Sequence, residues 1–414
     1  MKSVLVALVC FCVLSKAEDK LREIFRWKTI DYEFADEEAR NRSIKNGEYV
    51  PQNNVPFGVE VWRDKVFVTV PRRNPGVPST LNYVPLNSNH SSPLLIPYPD
   101  WSSNNVSSRF LVSTYRVKAD RCDRLWTIDT GSVIDFQGVG ERLNPPRIRI
   151  FNLQTNSLLL EYTMKAQDYV CDSTHTNIVV DLGSSCDDAF AYVVDPSSHS
   201  IFVYSLQAND SWRIQHPYFL PDPLQSDYSM GNLQFQWFDG IFGIALTETN
   251  KYGFRNVFAH PMSSLYELIT TTQQLRNQST WRNSRDSFGA FHILGSRDDT
   301  FQAASSAYDE KSGVLFYSLV TKNAIGCWNT RKYSFYSGSI NDVVASNDET
   351  MIYFSDIKVD SSSTLWAISN RLPVILYGKY SPDEYNFRIF SARVQHLIKN
   401  TLCEQSRQFW SRKF

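Results

Sequence analysis

The chain has 414 residues, of which 42% are hydrophobic and 21% are charged, a composition typical of a folded protein with a large buried core. Its formal net charge is −1, and Lys and Arg form no long run, which argues against a nucleic-acid groove or a face for anionic membranes. Aromatic residues reach 14%, and short clusters of Gly and Pro are spread along the chain. This distribution favours many short strands over long helices.

The N-terminus predicts a secretory signal peptide over residues 1–17. Lys2 precedes an apolar stretch over 4–14, and the small residues Ser15 and Ala17 follow at the positions that a signal peptidase reads. The stretch is too short to span a bilayer, and no later segment has a long uninterrupted apolar run. A buried N-terminal helix is the alternative interpretation. We expect a secreted chain that folds as one domain over residues 18–414.

Cysteines and glycosylation sequons agree with secretion. Beyond the signal peptide the chain has five cysteines, whose spacing leaves several pairings open: Cys122, Cys171, Cys186, Cys327 and Cys403. Five Asn-x-Ser sequons are predicted to be glycosylated, at Asn41, Asn89, Asn105, Asn209 and Asn277.

One triplet, Asp129-Thr130-Gly131, matches the turn that carries a catalytic carboxylate in aspartic proteases. Such an enzyme needs a second carboxylate that shares the proton, and therefore a second Asp-Thr-Gly or Asp-Ser-Gly. The sequence has none, since Asp181-Leu182-Gly183 lacks the hydroxyl residue. We interpret the triplet as a turn at a strand end, in which Asp129 caps the local backbone and Gly131 takes a positive φ.

A strand pattern recurs six times at intervals of roughly sixty residues. Each copy has a small or aliphatic residue, then an aromatic one, then an alternating stretch that ends in a turn. The aromatic residues are Phe67, Trp126, Phe190, Phe258, Phe316 and Trp366. A second strand precedes each copy, over 57–62, 113–119, 176–182, 241–247, 302–308 and 354–360. A third follows most copies, over 80–86, 147–153, 200–206, 264–270 and 324–330.

Six copies of such a unit predict an all-β fold, a six-bladed β-propeller. A β-sandwich would explain the strands but not their sixfold recurrence. The first and last blades must also cover their edges. The alternating segment 24–34 belongs to no copy, so we predict that it adds an outer strand to the last blade beside residues 386–392.

Several long motifs resemble the insect yellow / major royal jelly protein family, closer to the yellow branch. They are FVTVPRRNPGVPSTLNYV (67–84), IPYPDW (96–101), RCDRLWTIDTG (121–131), SCDDAFAYVVD (185–195), FQWFDGIFGIAL (235–246), NAIGCWN (323–329) and NFRIF (386–390). The six-bladed propeller of that family agrees with the repeat. The resemblance implies disulfides between Cys122 and Cys186 and between Cys327 and Cys403. Cys171 is left over, and we expect it to be a buried small side chain rather than a reactive thiol.

The resemblance also implies a ligand site at the mouth of the propeller channel. Some insect salivary members of the family bind biogenic amines there, through positions that correspond to Tyr353, Ser355, Asn370 and Leu372. The amine binders have an aromatic residue where this chain has Leu372. We expect Tyr353 and Ser355 to share one strand face, as do Asn370 and Leu372, so that Ser355 and Asn370 bind an ammonium group. Tyr115 is a further candidate. Packing within the channel is the alternative role for all five.

Three functions remain open. The first is a secreted protein of the melanin or pigmentation pathway, or of a glandular secretion, that binds catechol- or indole-derived molecules. The second is a dopachrome tautomerase, which needs an acid and a base at the channel mouth. The implied site residues include no His or carboxylate, which argues against it, and catalytic residues stay unassigned. The third is a nutritive or structural secreted protein.

Other site chemistry is absent from the sequence. The seven histidines show no metal-binding spacing, and Gly-x-Ser-x-Gly does not occur. We therefore predict no metal and no cofactor, and a small molecule as the partner. The segment RRNPG (72–76) is similar to an anion-binding loop, but its Pro and Gly indicate a connecting loop.

Overall fold

The computed structural model describes residues 20–282, 285, 287–297 and 301–405. The signal peptide predicted over 1–17 lies outside these residues. Ahead of the first blade come strand β1 (Arg22–Trp27) and helix α1 (Glu37–Lys45). The side chain of Asp36 accepts a hydrogen bond from the backbone N–H of Ala39 and caps the start of α1.

The first three blades are antiparallel sheets whose first strand faces the propeller axis. Blade 1 consists of β2 (Gly58–Trp62), β3 (Lys65–Thr69), β4 (Leu81–Pro85) and β5 (Ile96–Pro97), followed by helix α2 (Trp101–Asn104). Blade 2 consists of β6 (Thr114–Ala119), β7 (Arg124–Asp129), β10 (Arg147–Asn152) and β11 (Leu158–Thr163), with the hairpin β8 (Ser132–Ile134) and β9 (Gly140–Arg142) inserted after β7. Blade 3 consists of β12 (Asn177–Leu182), β13 (Ala189–Asp195), β14 (Ser200–Ser205) and β15 (Asp210–Gln215).

A second inserted hairpin, β16 (Asp227–Met230) and β17 (Leu233–Gln236), precedes the remaining blades. Blade 4 consists of β18 (Ile241–Leu246), β19 (Asn256–Pro261), β20 (Tyr266–Thr271) and β21 (His292–Ser296), with helix α3 (Thr272–Arg276) between the last two. Blade 5 consists of β22 (Ala303–Asp309), β23 (Val314–Leu319), β24 (Ala324–Asn329) and β26 (Asp342–Ser346), while β25 (Tyr336–Ser337) pairs in parallel with β21.

Blade 6 completes the ring. It consists of β27 (Phe354–Val359), β28 (Thr364–Ser369) and β29 (Phe387–Arg393), with helices α4 (Leu372–Tyr377) and α5 (Val394–Leu397). Short 3-10 turns occur at Pro51–Asn53, Val106–Ser108, Ala166–Asp168, Pro217–Phe219, Pro223–Gln225, Gln278–Trp281 and Gly338–Ile340. No helix of the described ranges has the length and apolar character needed to cross a membrane.

The N-terminal strand closes the ring as the sequence predicts, although of the predicted segment 24–34 only the residues up to Trp27 join blade 6, and Tyr32 bridges Leu95 of blade 1 instead. β1 pairs antiparallel with β29, with Phe25 opposite Ile389, and becomes the fourth strand of blade 6. The indole of Trp27 is buried and donates a hydrogen bond to Pro93 O at 2.8 Å, which ties this strand to blade 1. The edge that blade 6 would otherwise expose is therefore covered by the start of the chain.

The recurring aromatic residues lie on the second strand of every blade, as predicted. Phe67, Trp126, Phe258 and Phe316 each take the third position of that strand and are at most 3% exposed. Since both faces of a blade pack against neighbouring blades, strands such as β7 and β14 are buried along their whole length. Sheet-on-sheet packing thus explains why the repeat is written in aromatic and β-branched residues.

The Asp-Thr-Gly triplet is a blade turn. Asp129 Oδ1 accepts from the N–H of Gly131 at 3.0 Å and of Ser113 at 2.8 Å, and Oδ2 pairs with Arg149 at 3.0 Å. Gly131 has φ +67°, and a Cβ there would lie 2.1 Å from Asn144 O. Asp129 is 1% exposed, so its carboxylate stabilises the turn and is not accessible to a substrate.

Both implied disulfides are present, Cys122–Cys186 and Cys327–Cys403. The second joins the C-terminal segment to β24 of blade 5. The expectation that Cys171 is buried is wrong, because this free cysteine is exposed in the loop before β12. The five sequon asparagines are all exposed, and their glycosylation stays a prediction.

Candidate functional site

The channel mouth is formed where the six inner strands begin. These strands, β2, β6, β12, β18, β22 and β27, contact one another in a closed ring. Because each blade repeats the same up-and-down order, the residues just before the inner strands meet at one end of the channel. Phe57, Asp239 and Tyr353 occupy such positions. We call this end the channel mouth.

A guanidinium fills the channel below the mouth. Arg116 of β6 is fully buried and donates through Nη1 to Thr176 O at 2.5 Å and through Nη2 to Ser355 O. Its Nε lies 3.3 Å from Asp356 Oδ1, and its guanidinium carbon lies 5.1 Å from the ring centroid of Phe242. One side chain therefore touches blades 3, 4 and 6 from blade 2.

The carboxylate of Asp356 completes this plug. It accepts from Val59 N at 3.1 Å, from Ser305 Oγ at 2.9 Å and from Lys358 Nζ at 2.9 Å. Burial lowers the pKa of Lys358, and the adjacent charge of Asp356 opposes that shift. Together with Arg116 the network reaches all six blades. A ligand at this end is consequently limited to the space above the plug.

Ser355 and Asn370 lie at the mouth, but both are fully buried and bonded to backbone. Ser355 Oγ donates to Phe57 O at 2.8 Å. Asn370 Nδ2 donates to Pro56 O at 2.8 Å, and its Oδ1 accepts from Leu372 N at 3.1 Å. In this structure their polar atoms hold blade 6 to the segment that leads into blade 1.

The expectation that Asn370 and Leu372 share a strand face is wrong. Strand β28 ends at Ser369, and Leu372 is the first residue of α4. Arg371 between them takes the left-handed region with φ +50°, which breaks the alternation. Tyr353 likewise lies just before β27, with φ +51°. Left-handed conformations of non-glycine residues cost of the order of 1 kcal/mol and cluster at functional sites.

Tyr353, Leu372 and Tyr115 all belong to one large apolar cluster that also includes Phe57. The ring centroids of Tyr115 and Phe57 are 5.6 Å apart in an edge-on arrangement. The ring of Tyr353 lies 5.4 Å from that of Trp237. Burial raises the pKa of Tyr353 above its ordinary range, so its hydroxyl stays neutral. The mouth therefore presents aromatic edges and faces.

The hairpin β16–β17 extends this aromatic wall towards α4. Trp237 Nε1 donates to Tyr377 Oη at 2.8 Å, and Phe235 stacks on Tyr377 with centroids 4.9 Å apart. On its other side Phe235 stacks on Tyr228 at 5.3 Å. Segments before blade 4 and after β28 are thus joined by ring contacts beside the mouth.

A carboxylate lies at the mouth, which the sequence analysis missed. Asp239 is half-buried, and its backbone is fixed by Ser263, whose Oγ accepts from Asp239 N at 3.3 Å and whose N–H donates to Asp239 O at 3.1 Å. Among the described residues no donor hydrogen-bonds its carboxylate. Burial raises the pKa of Asp239 to about 6, and the positive charge of Arg73 partly offsets that rise.

The cation that acts on Asp239 is Arg73, from the segment interpreted above as a mere connecting loop. Its Nη1 donates to Tyr115 Oη at 3.1 Å, and its guanidinium carbon lies 4.8 Å from the ring centroid of Phe136. Its Nε is buried without a hydrogen-bond partner. This loop does connect two strands, but it also places at the mouth the Arg73 guanidinium, whose Nε–H lacks a hydrogen-bond acceptor.

A signal for both residues was present in the sequence. Asp239 falls in the motif FQWFDGIFGIAL two residues before an inner strand, and Arg73 falls in RRNPG four residues after the second strand of blade 1. Both positions lie at the mouth in any propeller of this topology. Within the described residues, no group of three or more His, Cys, Asp or Glu is arranged to hold a metal ion.

These features define a six-bladed β-propeller with a filled channel and an aromatic mouth that includes the carboxylate of Asp239 and the guanidinium of Arg73. The family model described as major royal jelly protein matches residues 112–403. The chain belongs to the major royal jelly protein family, as its motifs indicate.

Two relatives cover nearly the whole chain. The dopaminechrome tautomerase of Drosophila melanogaster is 37% identical over 404 residues, which is 95% of this chain and 86% of that protein. Protein yellow of Drosophila guanche is 36% identical over 409 residues, 96% of this chain and 69% of that protein. Among solved structures, the PQQ-bound aldose sugar dehydrogenase of Streptomyces coelicolor aligns with 82% of this chain and 93% of its own at 11% identity and a TM-score of 0.45.

Proposed function

We propose that the protein binds a catechol- or indole-derived small molecule at the channel mouth and acts in a melanin or pigmentation pathway. The observation that carries this proposal is that Asp239 and Arg73 lie among aromatic side chains at the mouth, above the plug of Arg116 and Asp356. A planar ring would pack against the cluster of Tyr353, Leu372 and Tyr115, where aromatic contacts favour it. Pockets with apolar walls and a few fixed polar groups are typical ligand sites.

The two charges suggest how such a molecule is oriented. An ammonium group would pair with Asp239, which is ionised at neutral pH, and ring oxygens would accept hydrogen bonds from Arg73. Ser355 and Asn370 remain candidate ligand contacts, as the resemblance implies. They would have to share the bonds that they now make to the backbone at Pro56 and Phe57.

Calorimetry with dopamine and serotonin tests this function. We expect saturable heats with the native protein and a Kd at least about tenfold weaker for Asp239→Asn, because a charge-assisted bond contributes about 1.5–3 kcal/mol. Glu38→Gln on α1 removes the same charge from an exposed site and serves as the matched control. Absence of saturable heat with the native protein would refute the binding function. A larger loss in a folded Asn370→Ala variant would make Asn370 the principal polar contact.

A second candidate function is isomerisation of an aminochrome, a cyclic ortho-quinone derived from a catecholamine. The specific observation that favours it is Asp239, since the implied site residues alone include no His or carboxylate. The relative named dopaminechrome tautomerase gives this candidate further support. Spectroscopic decay of dopaminechrome, compared with a heat-denatured control, tests it.

Secretion and glycosylation are part of the proposal. Two disulfides and five exposed sequon asparagines suit an extracellular protein. Expression in insect cells with the native N-terminus should place the protein in the medium. Treatment with an N-glycosidase should then lower its apparent mass. Retention in the cytoplasm, or an unchanged mass, would contradict this part.

A further inference from the structure

Asp239 is held at the mouth by a rigid turn. The following residue, Gly240, has no room for a side chain, because a Cβ would lie 2.3 Å from His199 Nδ1 and 2.6 Å from Phe219 O. Ser263 bonds both the N–H and the carbonyl of Asp239. The backbone of Asp239 is therefore held at the mouth by two hydrogen bonds, while the carboxylate itself receives no hydrogen bond from the described residues.

Arg73 is positioned with similar rigidity by its neighbour. Arg72 is 4% exposed and donates to Val77 O at 2.9 Å, to Leu111 O at 3.0 Å and to Pro78 O at 2.9 Å. These bonds fix the loop from which Arg73 extends. The guanidinium of Arg73 contacts Phe136 and Tyr115, and its buried Nε has no hydrogen-bond partner among the described residues. An unsatisfied buried donor is stabilised when a ligand oxygen supplies the missing acceptor.

From this geometry we propose that Asp239 is the proton-transferring residue of an aminochrome isomerase and that Arg73 binds the quinone oxygen on which negative charge develops. The assignment rests on the second candidate function proposed above. A half-buried carboxylate that can act as a base, and a guanidinium at the same channel mouth whose positive charge acts on it, are groups that suit such a reaction.

The chemistry balances without a further reactant. Asp239 removes a proton from a saturated carbon of the five-membered ring, and the electron pair of that C–H bond becomes a ring double bond. The π electrons of the conjugated carbonyl move to its oxygen, which Arg73 stabilises. That oxygen then takes a proton from the carboxylic acid, directly or through water. A second proton then moves in the same way from the adjacent ring carbon to the other quinone oxygen, which yields the dihydroxyindole. Two C–H bonds are thus replaced by two O–H bonds.

The groups around Asp239 make its titration observable. Arg73 is the cation that acts on it, while Tyr228 and Tyr353 stay neutral because burial raises the pKa of both hydroxyls. His199 packs against the neighbouring Gly240. Since the base must be ionised in the free protein, kcat/KM should rise with pH through the Asp239 pKa of about 6 and then level off. The rise should be absent from Asp239→Asn if the carboxylate, rather than His199, causes it.

The test measures dopaminechrome decay with the native protein, Asp239→Asn, Arg73→Gln and the control Glu38→Gln. We expect Asp239→Asn to lower kcat about 100-fold or more, as for loss of a general base. Binding of the neutral ring 5-hydroxyindole should stay within about threefold, which separates lost chemistry from lost folding. Arg73→Gln should lower kcat while the pH-dependent rise persists.

Two results would overturn the assignment, and they are distinguishable. If the native protein turns over the substrate and Asp239→Asn keeps more than about a third of its kcat, the residue assignment is wrong and the isomerase function stands. If the native protein does not accelerate the decay at all, the isomerase function is wrong and the assignment falls with it. The dopamine calorimetry then decides the binding function separately.

Discussion

The two disulfides close loops of similar length in different surroundings. Their sequence separations are 64 residues for Cys122–Cys186 and 76 for Cys327–Cys403. Cys327 and Cys403 are fully buried, whereas Cys186 is exposed and Cys122 is half-buried. Replacing each pair by alanines therefore separates the effect of loop closure from the effect of burial.

The chain-entropy model gives almost the same loss for both pairs. At these loop lengths each disulfide stabilises the fold by about 4 kcal/mol, and the two values differ by only about 0.1 kcal/mol. Removing two buried sulfur atoms adds a cavity and lost packing, about 1 kcal/mol for each atom of methylene size. We expect a loss of about 4 kcal/mol for the exposed pair and about 6 kcal/mol for the buried pair.

Urea unfolding followed by tryptophan fluorescence measures both losses, with each double alanine variant compared with the native protein under non-reducing conditions. The C-terminal segment should remain partly docked without its disulfide, because Asn329 Nδ2 donates to Cys403 O at 2.9 Å and Leu402 N donates to Asp342 Oδ2 at 2.9 Å. A larger loss for Cys122–Cys186 would refute the burial argument. Losses below about 1 kcal/mol for both would refute the loop-closure estimate.

Three further outcomes follow from the fold. Gly131→Ala should lower the free energy of unfolding by more than about 2 kcal/mol, because its Cβ would lie 2.1 Å from Asn144 O. Gly138→Ala, also at positive φ but with open space around it, should lower that free energy by about 1 kcal/mol. Equal losses for the two variants would contradict the steric argument. Burial lowers the pKa of His175 to about 4, so stability should fall as pH drops from about 6.5 towards 4, and less steeply in His175→Gln, in urea titrations across that range. Deleting residues 20–27 should expose the edge of blade 6 and yield aggregates in size-exclusion chromatography; a monomer would show that the closure is dispensable.

The fold was predictable because the repeat places equivalent residues in equivalent surroundings. Phe67, Trp126 and Phe316 pack between blades at the same strand position. Each repeat therefore needs a large buried aromatic side chain at that position, and the sequence shows it at a regular spacing. The hairpins β8–β9 and β16–β17 and the parallel pairing of β21 with β25 were not predicted. They belong to insertions that do not recur, and short isolated strands carry little pattern of their own.

The site was predictable only in part, for a different reason. Tyr353, Leu372 and Tyr115 belong to one apolar cluster, and their role as ligand contacts stays a prediction. Alternation was extended past the end of β28 to Asn370 and Leu372, where the positive φ of Arg371 interrupts it. Asp239 and Arg73 are far apart in the chain, and each resembles an ordinary turn residue locally. Only closure of the ring brings them to one opening.

The pairing of β1 with β29 also has a consequence for synthesis. Asn386 Nδ2 donates to the carbonyl of Lys28 at 2.9 Å, across 358 residues of chain. At about 5–20 residues per second, the first strand made must wait roughly 20–70 s before the ribosome supplies its partner. During that interval β1 lacks its partner strand, and its free backbone N–H and C=O groups can pair with another chain until the last blade emerges.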